Sequence, residues 1–253
     1  MTRSVLAAAL ALLALAAAHP AQAGTGRLAE LEVVDRTTGQ ALPVHRHQGR
    51  LWVAGRPGHE YELRVRSRHG GRLLAVASVD GVNVVTGQTA APDQAGYVLA
   101  GYGQASITGW RKSTAQTAAF EFTALSDSYA ARTGRPDHVG VIGVALFHEA
   151  VPQRWQDDGL ASGGADRQRA RAPAAPAAAA PPSAAESLGT GHGRRLDSPV
   201  RFTGFQRASR LPAEVIEIRY DSRENLVAMG VLPPPRRPDR QPRAFPAAFV
   251  PDP

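Results

Sequence analysis

The most strongly patterned stretch of the chain runs from Arg72 to Gly87, RLLAVASVDGVNVVTG. Leu73 to Val79 is almost unbroken apolar, the run breaks on Asp80-Gly81, resumes as Val82-Asn83-Val84-Val85 and stops at Thr86-Gly87. Asp-Gly between two β-branched runs predicts a hairpin, because both central residues of a type I′ turn need positive φ and glycine adopts it freely. The first arm is apolar on both faces, the pattern of a strand covered on two sides. A second run of this kind is Val139 to Phe147, VGVIGVALF. Gly140 and Gly143 weaken such a strand unless another backbone or a large ring approaches closely. The ring of Trp110 or Tyr129 is the expected neighbour.

Around these two runs the hydrophobic period is two. Tyr61, Leu63 and Val65 alternate with Glu62, Arg64 and Arg66, and Ala118, Phe120 and Phe122 alternate with Thr117, Ala119, Glu121 and Thr123, so each segment predicts a half-buried strand. Leu28 to Val34 alternates more loosely, and Leu42 to His45 with Arg50 to Ala54 predicts a second hairpin about His47-Gln48-Gly49. Gly70-Gly71 turns the Tyr61 strand into the central run. Tyr97 to Leu99 and Ala105 to Thr108 are short strand candidates, and Leu125 to Arg132 allows one helical turn. Roughly seven to ten short strands with glycine-rich turns, and hardly a helical period among them, predict an all-β sandwich between about residues 27 and 149, with a closed barrel as the alternative.

Composition divides the remainder. Residues 1–23 read as an export signal: Arg3 is the charged start, Val5 to Ala18 the apolar stretch, and Ala21-Gln22-Ala23 the small-residue cleavage site. The apolar run is short of the roughly 18–20 residues that span a bilayer, so a soluble periplasmic or secreted chain, not a membrane-spanning one, is expected. Residues 24–150 hold the sandwich. Residues 151–186, rich in Pro, Ala and Arg, bury too little apolar surface to offset ordering entropy and read as a disordered linker. In 187–232, Val200 to Phe205 and Glu214 to Tyr220 are strand-like, and Asp221 with Glu224 fits a variant capping box ahead of a short helix carrying Leu226, Val227 and Met229. This unit is too small to stand alone and is expected to dock on the sandwich. Residues 233–253 are a loose tail.

The phrases GHEYELRV, LLAVASVDGVNVVTG, ITGWRKS, AAFEFTALSDSYAARTGRP, VGVIGVALF, LGTGHGRR and IEIRYDSRENLVAMGVL occur in order along the chain. Together they resemble a group of exported bacterial proteins of unknown function. The resemblance covers most of 55–149 and 187–232. It implies export and the same division of the chain, and it implies no catalytic residue.

The chain contains no cysteine, which removes disulfides, thiolate metal sites and cysteine nucleophiles together. The formal charge of +7 raises the question of a nucleic-acid partner. All the basic residues but Lys112 are arginine, and they are spread along the chain. Arg64, Arg66, Arg68 and Arg72 alternate with apolar or small residues, as the wet face of a strand does, so no specific nucleic-acid partner is expected.

Candidate chemistry is sparse. Thr190-Gly191-His192-Gly193 exposes an imidazole between flexible glycines, but His69, His138 and His148 offer no recognised metal-ligand spacing, so a structural turn is the simpler account and no metal or cofactor is expected. Ser126-Asp127-Ser128-Tyr129, with Arg132 and His138, brings nucleophile, base and carboxylate types within one loop. No nucleophile elbow fixes a serine there, and turn chemistry explains the composition. The catalytic candidates are therefore Asp127, Ser128, His138 and His192, with none committed. Trp52, Tyr97, Tyr102 and Trp110 beside Arg111 could stack on a sugar or peptide. Trp110, Arg111, Tyr129 and Arg132 are the binding candidates. Asp80-Gly81-Val82-Asn83 opens like a calcium loop without its later acidic ligands. The expected function is a non-enzymatic exported module that binds or scaffolds an envelope protein or glycan. The alternative is a hydrolase built from the 126–138 loop and His192.

Overall fold

The structure, a computed structural model, describes residues 24–151 and 187–235. The expected signal segment, nearly all of the linker and most of the tail lie outside the described residues. In chain order the first strands are β1 (Gly24–Thr25), β2 (Ala29–Asp35), β3 (Gln40–Ala41), β4 (His45–His47), β5 (Arg50–Gly55), β6 (Glu60–Ser67), β7 (Leu73–Val79) and β8 (Val82–Asn83). They are followed by β9 (Tyr97–Leu99), β10 (Gln104–Ile107), β11 (Gly109–Arg111), β12 (Gln116–Ala124), β13 (Val141–His148), β14 (Leu188–Asp197) and β15 (Glu214–Ser222). Among the described residues, helical structure is limited to α1 (Tyr129–Arg132), α2 (Arg223–Ala228) and two 3-10 turns, Leu125–Asp127 and Pro136–His138.

The strands form two open sheets packed face to face, so the fold is an all-β sandwich and not a closed barrel. In the first sheet β2 pairs with β6, and β6 meets β12 at Tyr61↔Phe120 and Glu60↔Glu121. Beyond that contact β10 continues along β6, β11 pairs with β12, and β14 runs along β12. The second sheet has the order β4-β5-β15-β13-β7-β8, with β9 also on β7. Gly70-Gly71 therefore carries the chain from one sheet to the other, since β6 and β7 lie in different sheets.

The alternation in β6 does what its period demands. Tyr61, Leu63 and Val65 are fully buried between the sheets, while Arg64 reaches Glu32 and Glu62 on the outer face and Arg66 reaches Gln104. Tyr61 stacks on Phe122 with ring centroids 4.2 Å apart and on Phe120 at 5.3 Å, and the Tyr220 ring of β15 closes the group.

The central run β7 is buried on both faces for two separate reasons. Leu73, Ala75, Ala77 and Val79 join the core between the sheets. Leu74 and Val76 form a second, outer cluster with Ala145 and Phe147, against which Val98 and Phe205 pack. Phe205 belongs to a strap, Ser198 to Ala213, that crosses the outer face of the second sheet. Its ends are held by Ser198 N–H to the Ala115 carbonyl (2.7 Å), Val200 N–H to Thr114 (2.8 Å) and Ala213 N–H to Leu146 (2.8 Å). Val200 to Phe205, expected as a strand, makes no ladder because it lies across a sheet face and not along an edge.

The remaining strand of this region was hidden by its glycines. Thr190-Gly191-His192-Gly193 reads as a turn, yet it lies inside a ten-residue strand, Leu188–Asp197. A Cβ at Gly189 would lie 2.5 Å from the Ser128 Cβ, and one at Gly193 would lie 3.1 Å from the Ala119 carbonyl oxygen. The glycines allow close packing on β12 and α1, which is one of the uses of glycine within strands. Neither expected ring fills the space at Gly140 and Gly143. The Tyr220 carbonyl approaches Gly140, whose φ is +86°, and the Ser78 hydroxyl lies over Gly143.

β15 buries Ile216, Ile218 and Tyr220 as its alternation requires. It pairs antiparallel with β13 and parallel with β5, so it lies inside the second sheet. The N-cap of α2 is Ser222, whose hydroxyl accepts from the Asn225 N–H at 3.1 Å. Asp221, expected in that role, instead accepts from the Leu188 N–H, the Ser222 N–H and the Asn225 amide. Leu226 is buried, while Met229 is 44% exposed.

The central hairpin has the turn its sequence predicts, with φ of +52° at Asp80 and +68° at Gly81. A Cβ at Gly81 would also sit 2.6 Å from the Cβ of His138. Gly81→Val combines a β-branched residue at positive φ with this collision, and about 2–3 kcal/mol of destabilisation is expected. For a chain of this size that corresponds to a fall in Tm of roughly 4–10 °C. A melt unchanged to within about 1 °C would contradict it.

Candidate functional site

The turn aspartate does more than turn the chain. Asp80 is completely buried. One carboxylate oxygen accepts from the Tyr220 hydroxyl at 2.6 Å and from the Gly140 N–H at 2.9 Å, and the other accepts from the Thr190 N–H at 2.9 Å. The Thr190 hydroxyl lies 2.6 Å from both the Tyr220 and the Tyr61 hydroxyls, which completes a buried chain of polar groups from the first sheet to the second. One carboxylate thus ties the β7–β8 turn to β13, β14 and β15. Sequence reading placed Asp80 in a turn and missed this role. The available signal was its position between two runs that are apolar on every side, which leaves its carboxylate nowhere to go but inward.

Burial raises the Asp80 pKa from 3.8 to about 6, against the opposing pull of the bonds from Tyr220, Thr190 and Gly140. The folded-state value lies above the unfolded one, so this contribution to stability is fully present below about pH 4 and is lost as pH rises through about 6. A difference of about 2 units corresponds to about 3 kcal/mol. It is measured as the gap between the stability–pH curves of the native protein and Asp80→Asn, which should narrow between about pH 4 and 6. A constant gap would contradict the assignment. Asp35, with its pKa lowered, acts in the opposite sense near its own range and cancels in this comparison.

The sequence-predicted catalytic candidates do not assemble. Ser128 is fully buried, and its hydroxyl accepts from the Ala131 N–H at 3.1 Å as the N-cap of α1. Asp127 and His138 are exposed, and His138 lies beneath Gly81. The 126–138 loop does meet His192, but through Tyr129, whose ring centroid is 5.7 Å from the imidazole. No hydrogen bond joins Ser128 to His138 or His192 among the described residues. Partial desolvation, with the positive charges of Lys112 and Arg195, lowers the His192 pKa. His69 and His148 touch edge to face at 4.7 Å, and no group of three or more metal-ligand side chains occurs among the described residues. The calcium-like Asp80 and Asn83 oxygens accept protein donors, Asn83 from the Val85 and Thr86 N–H groups.

The binding candidates separate into two places, since Trp110 and Arg111 are consecutive on β11 and face opposite ways. Trp110 is buried in the core against Phe120 and Tyr129, with His192 stacked at 6.4 Å. Arg132 is exposed at the end of α1. Trp52 lies under the Arg219 guanidinium, and Tyr102 is 73% exposed. Arg111 faces a groove.

This groove, of about 750 Å3, lies between the outer face of the second sheet, the loop before β9 and the first half of the strap. Leu74, Val85, Val98 and Phe205 give it an apolar floor. Arg111, Lys112, Arg201 and Arg207 line it as cations, and among the described residues Asp93 is the one acidic residue in its lining. Arg111 binds the Tyr97 hydroxyl at 3.0 Å and the Ser198 hydroxyl at 3.1 Å. Arg207 donates to the Asp93 and Gln94 carbonyls, its guanidinium lying over the Phe147 ring at 4.8 Å. Of the groove's cations the sequence marked only Arg111; Arg201 and Arg207 were missed because the strap that carries them arrives from a distant part of the chain, and Lys112, beside Arg111, carried no signal of its own.

No helix among the described residues is long and apolar enough to cross a membrane. No family model, curated protein or solved structure matches the chain.

Proposed function

We propose that the protein is an exported, non-enzymatic β-sandwich module of the cell envelope that binds its ligand in the groove beneath the strap. The observation that carries this reading is the groove itself. Its volume of about 750 Å3 falls in the range of small-molecule sites, and it joins an apolar floor to a few convergent polar groups. The buried hydroxyl of Ser128, engaged as a helix cap, supports binding over hydrolysis. Export rests on the pattern of residues 1–23.

Because the chain has no cysteine, one introduced thiol is a unique label. Phe202→Cys at the rim and Thr38→Cys on a remote turn, each carrying an environment-sensitive fluorophore, are titrated with soluble envelope fractions. A saturable response at position 202, absent at position 38, is the expected result. Equal responses at both positions, or none at either, would sink the reading.

A further inference from the structure

Resting on that reading, we infer that the groove's ligand is a small amphiphilic anion: a carboxylate or phosphate head on a single apolar chain. Three observations carry this. First, the positive charge of the groove is uncompensated. None of the groove's four cations enters an ion pair among the described residues; elsewhere in the sandwich some arginines, such as Arg36, Arg64, Arg72 and Arg194, are paired with carboxylates, and others, such as Arg66 and Arg195, are not. Arg111 and Arg207 are held by hydroxyl and carbonyl oxygens, which fix their positions and leave their charge intact. The side chains of Lys112 and Arg201 make no hydrogen bond or ion pair among the described residues. Second, Arg207 uses two of its five N–H donors on the Asp93 and Gln94 carbonyls and keeps donors on its terminal nitrogens for a further acceptor.

Third, the apolar part of the groove is unfinished. Phe202 is 93% exposed at the rim, beside a floor that already buries Leu74 and half-buries Phe205. A hydrocarbon chain along that floor would cover the ring and gain about 25 cal/mol for each Å2 of apolar surface removed from water. An anionic head among fixed guanidinium groups makes charge-assisted hydrogen bonds, which are about twice as strong as neutral ones. A single-stranded nucleic acid fits less well, since it needs a basic track following its backbone and this groove gathers its cations about one pocket.

Isothermal titration with decanoate and decyl glucoside, both below their micellar concentrations, separates head from tail. Decanoate is expected to bind at least about tenfold more tightly. Lys112→Gln with Arg201→Gln, both exposed and unpaired, should reduce that preference without moving the Tm, and Asp93→Asn should strengthen decanoate binding. Equal affinities for the two amphiphiles would overturn the anionic head while leaving the groove as a binding site. A response of the position 202 label to envelope fractions but to neither amphiphile would overturn the ligand class alone. Competition by a peptide of residues 236–253, or by a decathymidylate at physiological salt, would assign the groove to the chain's own tail or to nucleic acid and overturn the inference. Silence of the label toward every sample would remove the binding module along with its ligand.

Discussion

Replacing Asp80 by alanine is expected to cost about 3–4 kcal/mol of folding stability at neutral pH. The Tyr220 hydroxyl and the Gly140 and Thr190 N–H groups would lose their acceptor inside the protein, and each buried donor left unsatisfied costs about 1–3 kcal/mol. Relief from burying a charge offsets part of that sum. Alanine also tolerates the φ of +52° less well than aspartate does. The loss should grow as pH falls toward 4, because the native carboxyl is then neutral and no longer carries its desolvation cost. Urea denaturation followed by far-UV circular dichroism at several pH values measures both effects. A loss below about 1 kcal/mol would mean that water or another group replaces the carboxylate.

The second large effect is expected from cutting the chain. Residues 24–151 supply β5 and β13, but the strand between them, β15, comes from the far side of the linker. Without it, the second sheet has two facing unpaired edges, and Val53, Ile142 and Val144 lose their neighbours Ile216, Ile218 and Tyr220. Neither 24–151 nor 187–253 should melt cooperatively alone, while mixing them should restore one transition. Limited proteolysis within 152–182 should likewise yield two fragments that co-elute on size exclusion. Separate elution, together with a cooperative melt of the isolated C-terminal piece, would show two independent domains on a tether.

The legible parts of this fold were those in which local pattern and tertiary demand agree. The alternation in β6 and β12 and the Asp-Gly turn were set by neighbours in sequence, and the sandwich followed from them. β14 was not legible because its glycines answer a demand made by Ser128 and Ala119, far away along the chain. Val200 to Phe205 failed in the opposite sense. Its residues are strand-like, but the segment lies across a sheet face and has no edge to pair with. The same physics limited the reading of the site. Trp110 and Arg111 looked like one aromatic and cationic patch, yet the pleat of β11 sends them to opposite faces. Two of the groove's other cations, Arg201 and Arg207, come from a strap whose position no local pattern reveals. Tyr129 and His192 do meet, but as ring packing, while Ser128 caps α1.

The place of β15 between β5 and β13 also bears on how the molecule is made. A chain that emerges from its amino end presents both neighbours of that strand long before the strand itself exists. The pairing β5–β15 spans more than 160 residues, and loops of this length make native contacts slow to find. Until they close, the open centre of the sheet is a template for other strands, and aggregation competes with completion. Folding of this protein is therefore committed only once β15 has emerged, and its yield should depend on holdase chaperones more than its final stability would imply.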